Sequence, residues 1–430
     1  MTVAAVPAQR RRATFAAAVG SAIEWYDFFL FGAAAALVFP ALFFPEQSRH
    51  TALLLAFSTY FVGFLARPIG AALFGHLGDR RGRKHTLVIT LVMMGVSTFA
   101  IGLLPVHAAV GPWGGLALVA LRLLQGVGVG GEWGGAVLLA FEWAAPRGRG
   151  LAASWPQVGV AAGLVLANAA LAFASWLSGP GFLTWGWRLP FLLSAVLVAV
   201  GLWVRLNVEE TPAFAPAKPG DASLSPVRLV LRHQWQDVVL TALARTGQQA
   251  PFYIFTAWIL SFGTLELGLP REQVLRWVMV GSLAMMVSVP CWAWVSDRWG
   301  RQATVMAGAL AMIPFAFGYV MLLETRDPFW MMVAVVVALP VHDIQYGPQA
   351  AYIAERFPPA WRYSGASLGY QLASIVSGGP APLLAVWLQQ RGHGPWAIAA
   401  MMAASALIGL AAMVGLWWRD RRGPSWAEAR

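Results

Sequence analysis

RPIGAALFGHLGDRRGRKHTL, residues 67–87, closes one apolar stretch, turns through a cluster of charge and opens the next apolar stretch. Asp79, Arg80, Arg81, Arg83 and Lys84 fall within six residues. Such a cluster between long apolar runs marks a tight turn between two membrane helices, on the side where basic loops collect. Gly75 and Gly78 allow close approach of backbones, and Asp79 is placed as the N-cap of the following helix. SDRWGR at 296–301 repeats DRRGR at 79–83, 218 positions on. The chain therefore reads as two similar halves.

Working outward, the composition agrees. Of 430 residues, 58% are hydrophobic and 11% charged, with mean hydropathy +0.62. A globular domain in water does not carry that balance, so a polytopic membrane protein is expected. The net charge of +11 could suggest nucleic acid, but the arginines gather in loops on one side, which a membrane topology explains. The single cysteine, Cys291, lies in an apolar run and excludes disulfides and a thiolate metal cluster. Trp185, Trp187, Trp417 and Trp418, among 22 tryptophans, are placed in interfacial belts.

Apolar windows fall near 13–40, 52–75, 86–106, 113–142, 149–177 and 186–207, then near 237–265, 271–295, 303–323, 327–354, 361–390 and 395–418. These predict an all-α protein of twelve transmembrane helices in two pseudo-symmetric six-helix halves, 1–207 and 237–430. Residues 208–236, rich in Pro, Ala and Ser, are the expected linker. Pro156, Pro251, Pro340, Pro348 and Pro380 are expected bend sites. The helices alternate direction, which leaves only Arg49, Arg271, Arg276, Arg326 and Arg391 outside, with Arg188 at a boundary. Both termini are thus expected in the cytoplasm of a bacterial-type inner membrane. Arg10–Arg12 imitates a signal peptide or twin-arginine signal, but Glu24 and Asp27 follow and no cleavage site is evident. The segment reads as an uncleaved first span.

Ionisable groups inside spans are costly, so each is a functional candidate. Glu24 and Asp27 share a face of the first span. Arg122 lies in the fourth at a depth comparable with Asp27. Glu132, in GVGGEWGG, is either a proton relay or a lock on the inner gate. Arg67 reads as a structural partner of Glu24, Glu132 or a phospholipid. In the seventh span Arg245, Gln248 or Gln249, Phe252 and Thr256 recur at helical spacing beside Tyr253. In the tenth, His342, Gln345 and Gln349 do so beside Asp343 and Tyr346. Gln157 and Asn168 share a face of the fifth; Ser367, Tyr370, Gln371 and Ser374 share one of the eleventh. Interhelical hydrogen bonding accounts equally well for Gln157, Gln371 and the serines. For Arg245 and His342 a cavity role is favoured. Glu142 and Arg149 are seven apart, as are Glu355 and Arg362. With Asp79, Arg83, Asp297 and Arg301 they form two expected gate networks at the inner helix ends. No phosphate-binding loop, nucleophile elbow or metal-ligand spacing appears. GVGVGG at 126–131 follows no strand and is not a dinucleotide loop.

Gly75-x-x-x-Asp79-Arg80-x-Gly82-Arg83-Lys84 resembles the loop signature of the major facilitator superfamily. GSAIEWYDFFLFG at 20–32, LLQGVGVGGEWGGA at 123–136 and ERFPPAWRYSGASLGYQLAS at 355–374 resemble its metabolite:proton symporter branch. That branch includes shikimate, alpha-ketoglutarate and proline–betaine type transporters. FYIFT at 252–256 and GTLELGL at 263–269 are similar to the shikimate-like members. The resemblance implies a proton-coupled symporter of a small organic solute, with the first and fourth helices lining a central cavity. An Asp27–Arg122 pair, with Glu24 and Glu132, is then the expected proton-coupling group. Arg122, Arg245, Gln248, Tyr253, His342, Tyr346, Gln157 and Gln371 are the expected substrate contacts. The two arginines favour a carboxylate. No cofactor beyond the proton gradient, no metal, no catalytic residue and no nucleic-acid partner is expected; the protein is expected to work as a monomer in the bilayer. A proton antiporter exporting hydrophobic compounds is the competing transporter reading, and an integral membrane enzyme is the reading from another class.

Overall fold

The computed structural model describes residues 5–207, 209 and 226–421. Among these it is helical throughout, with no strand. Twelve long helical stretches appear in the expected order. The first six are Ala5–Leu37, Arg49–Arg81, Arg83–Leu103, Trp113–Glu142, Arg149–Ser178 and Arg188–Leu206. The last six are 235–265, Arg271–Trp299, Arg301–Glu324, Pro328–Glu355, 362–390 and Pro395–Arg421. They are called the first to twelfth spans below. Ten helical stretches among the described residues are long and apolar enough to cross a membrane. The two left over are the first and the seventh, corresponding helices of the two repeats. They fall short because Glu24 and Asp27, or Asp237, Arg245, Gln248 and Gln249, dilute their apolar character.

Local chemistry sets the boundaries. Gly82 and Gly300 occupy equivalent turns at φ 103° and 95°, the left-handed region that a side chain strains. Each turns the chain sharply from one span into the next, and each N–H closes on the helix behind it, to Gly78 and Ser296. Asp79 is therefore not the cap of the third span; it stands in the last turn of the second. The seventh and eleventh spans are broken by one π-helical turn each, Ile254–Trp258 and Ser374–Gly378. Pro251 precedes the first and Pro380 follows the second. Such turns free backbone groups and are frequent at functional sites. Within the expected linker, Pro226–His233 is a short helix; most of the rest lies outside the described residues.

Glycine decides the tightest crossings. Gly70 abuts the Val127 carbonyl, and Gly126 and Gly130 abut those of Gly63 and Arg67, so the second and fourth spans touch backbone to backbone. Gly159 and Gly163 meet the first span at the Ala18 and Ala22 carbonyls in the same way. Trp185, Trp417 and Trp418 are exposed, as a belt requires, but Trp187 is fully buried. It packs between Phe39, Phe43 and Phe191, so it belongs to the core and not to the interface.

Candidate functional site: a closed central cavity and two charge networks

The two repeats meet along a midline where polar side chains of the first, second, fourth, seventh, tenth and eleventh spans converge. At its centre is a cavity of about 10 Å³, room for about one water. Trp25 and Val160 line it from the first six spans, and Arg245, Gln248, Gln249, Tyr253, Tyr346 and Tyr370 from the last six. Arg245 donates to Gln249 Oε1 at 2.7 Å and to the Tyr370 carbonyl at 2.9 Å. Its guanidinium lies 3.2 Å from the centre of the Tyr370 ring, and that ring stacks on Trp133 at 3.5 Å. Among the described residues Arg245 Nε has no partner, no carboxylate pairs with this guanidinium, and none lines the cavity.

The cavity is closed on both sides. Away from the arginine-rich end, Tyr253 packs against Phe28, Tyr60 and Phe64, and Phe252 against Phe29. Towards that end, Tyr363 donates to the Gly131 carbonyl at 2.6 Å and Gln371 to that of Val129 at 3.1 Å.

Of the expected substrate contacts, Arg245, Gln248, Tyr253 and Tyr346 line the cavity. His342 stands one layer behind. Its Nδ1 is 2.9 Å from Asp343 Oδ1, its Nε2 meets the Gln248 amide, and Ser288 donates to the other Asp343 oxygen. Gln157 donates to the Tyr346 carbonyl at 2.5 Å. Gln157 and Gln371 thus both span the two repeats as interhelical hydrogen bonds. Arg122 is not in the cavity wall. It is held 4.3 Å from the centres of Phe28 and Phe31 and 4.7 Å from Tyr60.

Asp27 and Arg122 make no ion pair in this conformation. Both Asp27 oxygens lack a hydrogen bond although the residue is buried. Arg122 instead donates to Gln125 Oε1 at 3.1 Å, and Gln125 donates to the hydroxyl of Thr98 at 2.7 Å, which itself donates to the Met94 carbonyl at 3.0 Å. Glu24 and Glu132 form a different unit. Arg205, at the end of the sixth span, reaches Glu24 at 2.8 Å and Glu132 at 3.5 Å, and Ser21 donates to Glu132 at 2.9 Å. Arg205 therefore takes the role expected of Arg67. Arg67 lies instead 4.2 Å from the ring centres of both Phe28 and Phe64, with Ser374 Oγ at 3.4 Å from Nη1. Phe28 thus separates two buried guanidinium groups, each lacking a carboxylate partner. Quadrupole attraction, about 2 kcal/mol when desolvated, offsets part of the cost.

At the arginine-rich end the expected gate residues fall into two networks. Asp79 accepts from Ser364 N at 3.1 Å and Ser364 Oγ at 2.7 Å, capping the helix that begins at Arg362. Asp297 accepts from the N–H groups of Gly150 and Leu151, both at 3.1 Å, capping the helix that begins at Arg149. Each repeat so supplies a carboxylate to a helix N-terminus of the other. Arg83 lies 3.7 Å from Asp79 and 3.5 Å from Glu142; Arg301 lies 2.9 Å from Asp297 and 2.6 Å from Glu355. Arg362 reaches across to Glu142 at 3.8 Å. Among the described residues Arg149 makes no ion pair, and it lies over Phe141 at 4.8 Å.

The residues that sequence reading missed are Arg205, Gln125, Ser288, Trp25 and Trp133. A basic residue still within the helical register of the sixth span is the signal that the sequence offers for Arg205. Gln125 stands three residues from Arg122, a helical spacing that could have shown it, whereas Ser288 and Trp133 engage partners, Asp343 and Tyr370, too distant in the chain for any local pattern to show.

These features match known proteins. Residues 27–382 fit the family model of the Major Facilitator Superfamily. The chain is 40% identical over 418 residues to the shikimate transporter of Escherichia coli (strain K12), covering 95% of this chain and 94% of that one. It is 40% identical over 412 residues to inner membrane metabolite transport protein YhjE of the same organism, covering 94% and 93%. The proline/betaine transporter of Salmonella typhimurium is 30% identical over 412 residues, covering 93% and 82%. In three dimensions the chain resembles the D-xylose-proton symporter at TM-score 0.72 and 19% identity, covering 93% of this chain and 96% of that one. With its helices, its cavity and its repeated charge networks, the chain belongs to the major facilitator superfamily and is a multi-pass membrane transporter, not an enzyme.

Proposed function

We propose that this transporter takes up a small organic carboxylate together with protons. Two halves, 1–207 and 237–430, joined by the linker 208–236, rock about the central cavity and open it to each side in turn. The termini and the arginine-rich face lie in the cytoplasm of a bacterial-type inner membrane. No cofactor is needed, because the proton gradient supplies the energy.

One observation carries the choice of solute. Arg245 is buried at the cavity with no carboxylate beside it. A buried cation without an anion is costly, and a planar guanidinium meets a carboxylate in two parallel hydrogen bonds. Arriving solute would supply the missing charge. Gln248 Oε1, buried and unpartnered at the same cavity, would accept from a hydroxyl. A hydroxylated ring acid of the shikimate type, named for a 40% identical relative, is the first candidate. Export of hydrophobic compounds finds no support in a cavity walled by Arg245, Gln248 and Gln249.

Asp27 is proposed as the coupling carboxylate, with Arg122 and the Glu24–Arg205–Glu132 unit beside it. The test uses proteoliposomes with acid outside. Labelled hydroxy acids should accumulate, neutral analogues should not, and a protonophore should abolish accumulation. Accumulation that survives the protonophore would overturn the symport reading.

A further inference from the structure

A second cavity is far larger than the central one. A groove of about 920 Å³ opens on the membrane-facing side between the first and fifth spans, with Met286 of the eighth span closing one edge. It begins at Arg10 and Arg11 and reaches Ala22. Twelve residues of helix measure about 18 Å, close to the roughly 15 Å depth of one leaflet's hydrocarbon. Small residues, Ala18, Ala22, Gly159 and Ala162, line it between exposed Phe15 and Trp155.

The polar groups sit at one end. Arg10 and Arg11 make no ion pair among the described residues, and Arg10 lies against Gly148 just before the fifth span. Trp143 lines the same end at 7% exposure, and its indole N–H has no acceptor. A desolvated donor without an acceptor is uncommon and needs a partner. Two unpaired cations and an orphaned N–H at headgroup depth, above an apolar slot one leaflet deep, fit one ligand chemistry.

We propose that this groove binds one anionic phospholipid of the leaflet that meets the arginine-rich face. The phosphate is held by Arg10, Arg11 and the Trp143 indole N–H, and an acyl chain lies along Ala18, Ala22, Gly159 and Ala162. The site uses only membrane insertion of the chain, so it stands whichever solute is carried.

The test titrates the purified full-length protein with phosphatidylglycerol or with phosphatidylethanolamine of the same acyl chains, and counts retained lipid by native mass spectrometry. One phosphatidylglycerol should be retained at concentrations where phosphatidylethanolamine is not. R10Q/R11Q should weaken phosphatidylglycerol binding about 30-fold, as two surface cations at about 1 kcal/mol each imply. The charge-matched R80Q/R81Q, at exposed residues outside the groove, should bind like the parent. Ala162→Trp, which fills the slot, should weaken both lipids, and glycerol phosphate should not compete. Equal retention of the two lipids, or equal losses in R10Q/R11Q and R80Q/R81Q, would overturn the proposal. Both double variants change exposed or half-buried positions, and unchanged thermal melting without added lipid verifies their folding.

Discussion

Single residues in this protein act mainly through charges that burial has left short of partners. Arg205 holds two carboxylates from two other spans, and among the described residues no other cation pairs with them. Arg205→Ala should therefore destabilise the protein by about 3–5 kcal/mol, the usual cost of breaking a buried pair from one side. Thermal melting in detergent measures this, and adding Glu24→Gln should recover part of the loss. Arg245 is the opposite case: it has hydrogen bonds and a stacked ring but no anion. Arg245→Ala should cost solute binding at least tenfold while melting changes less than in Arg205→Ala. Arg245→Lys restores the charge but not the planar fork, so only partial recovery is expected. Calorimetric titration with the transported acid distinguishes the three proteins. The sequence singled out Arg245 because an arginine in an apolar stretch is costly and stands there beside Gln248, Gln249 and Tyr253. It did not point to Arg205, because Glu132 and Glu24 lie 73 and 181 positions away and the last turn of a helix looks like a loop.

Among the elements, the inner helix ends carry the clearest symmetry. Asp79 caps a helix of the second repeat, and Asp297 caps one of the first. In the proposed cycle each contact would break when the two repeats part at this face. Asp79→Asn keeps a weaker acceptor but loses the charge that the helix terminus favours, a difference of about 0.3–1 kcal/mol. Solute affinity in detergent should change little, whereas the transport rate should fall strongly. Loss of binding with normal cycling would contradict the gate. Asp297→Asn should behave alike, since its partners are equivalent. The span limits were legible here because Gly, Pro and charge punctuate them; the fourth was expected at 113–142 and is found at Trp113–Glu142. The exchange of partners was not legible. Arg149 and Arg362 are equivalent by spacing, yet only Arg362 reaches Glu142. Which arginine pairs depends on how the repeats approach each other, and no local pattern records that.

For the whole molecule, a cavity shut at both faces around room for about one water is the state that the proposed rocking of the two halves would pass through between its open states. The single cysteine, Cys291, is exposed, so Cys291→Ser should give a background for paired labels with little cost. Labels at the arginine-rich end should report a second, longer distance population once that face opens. The account rests most heavily on Asp27 as the group that moves the proton. It is buried, neither of its oxygens has a hydrogen-bond partner in this conformation, and it makes no ion pair with Arg122 among the described residues. The most direct measurement compares counterflow with pH-driven uptake of the same labelled acid in proteoliposomes containing Asp27→Asn. The amide imitates the protonated carboxyl, and exchange needs no net proton movement. Counterflow should persist and accumulation under a pH gradient should vanish. Accumulation at the parent's level in Asp27→Asn would contradict the account.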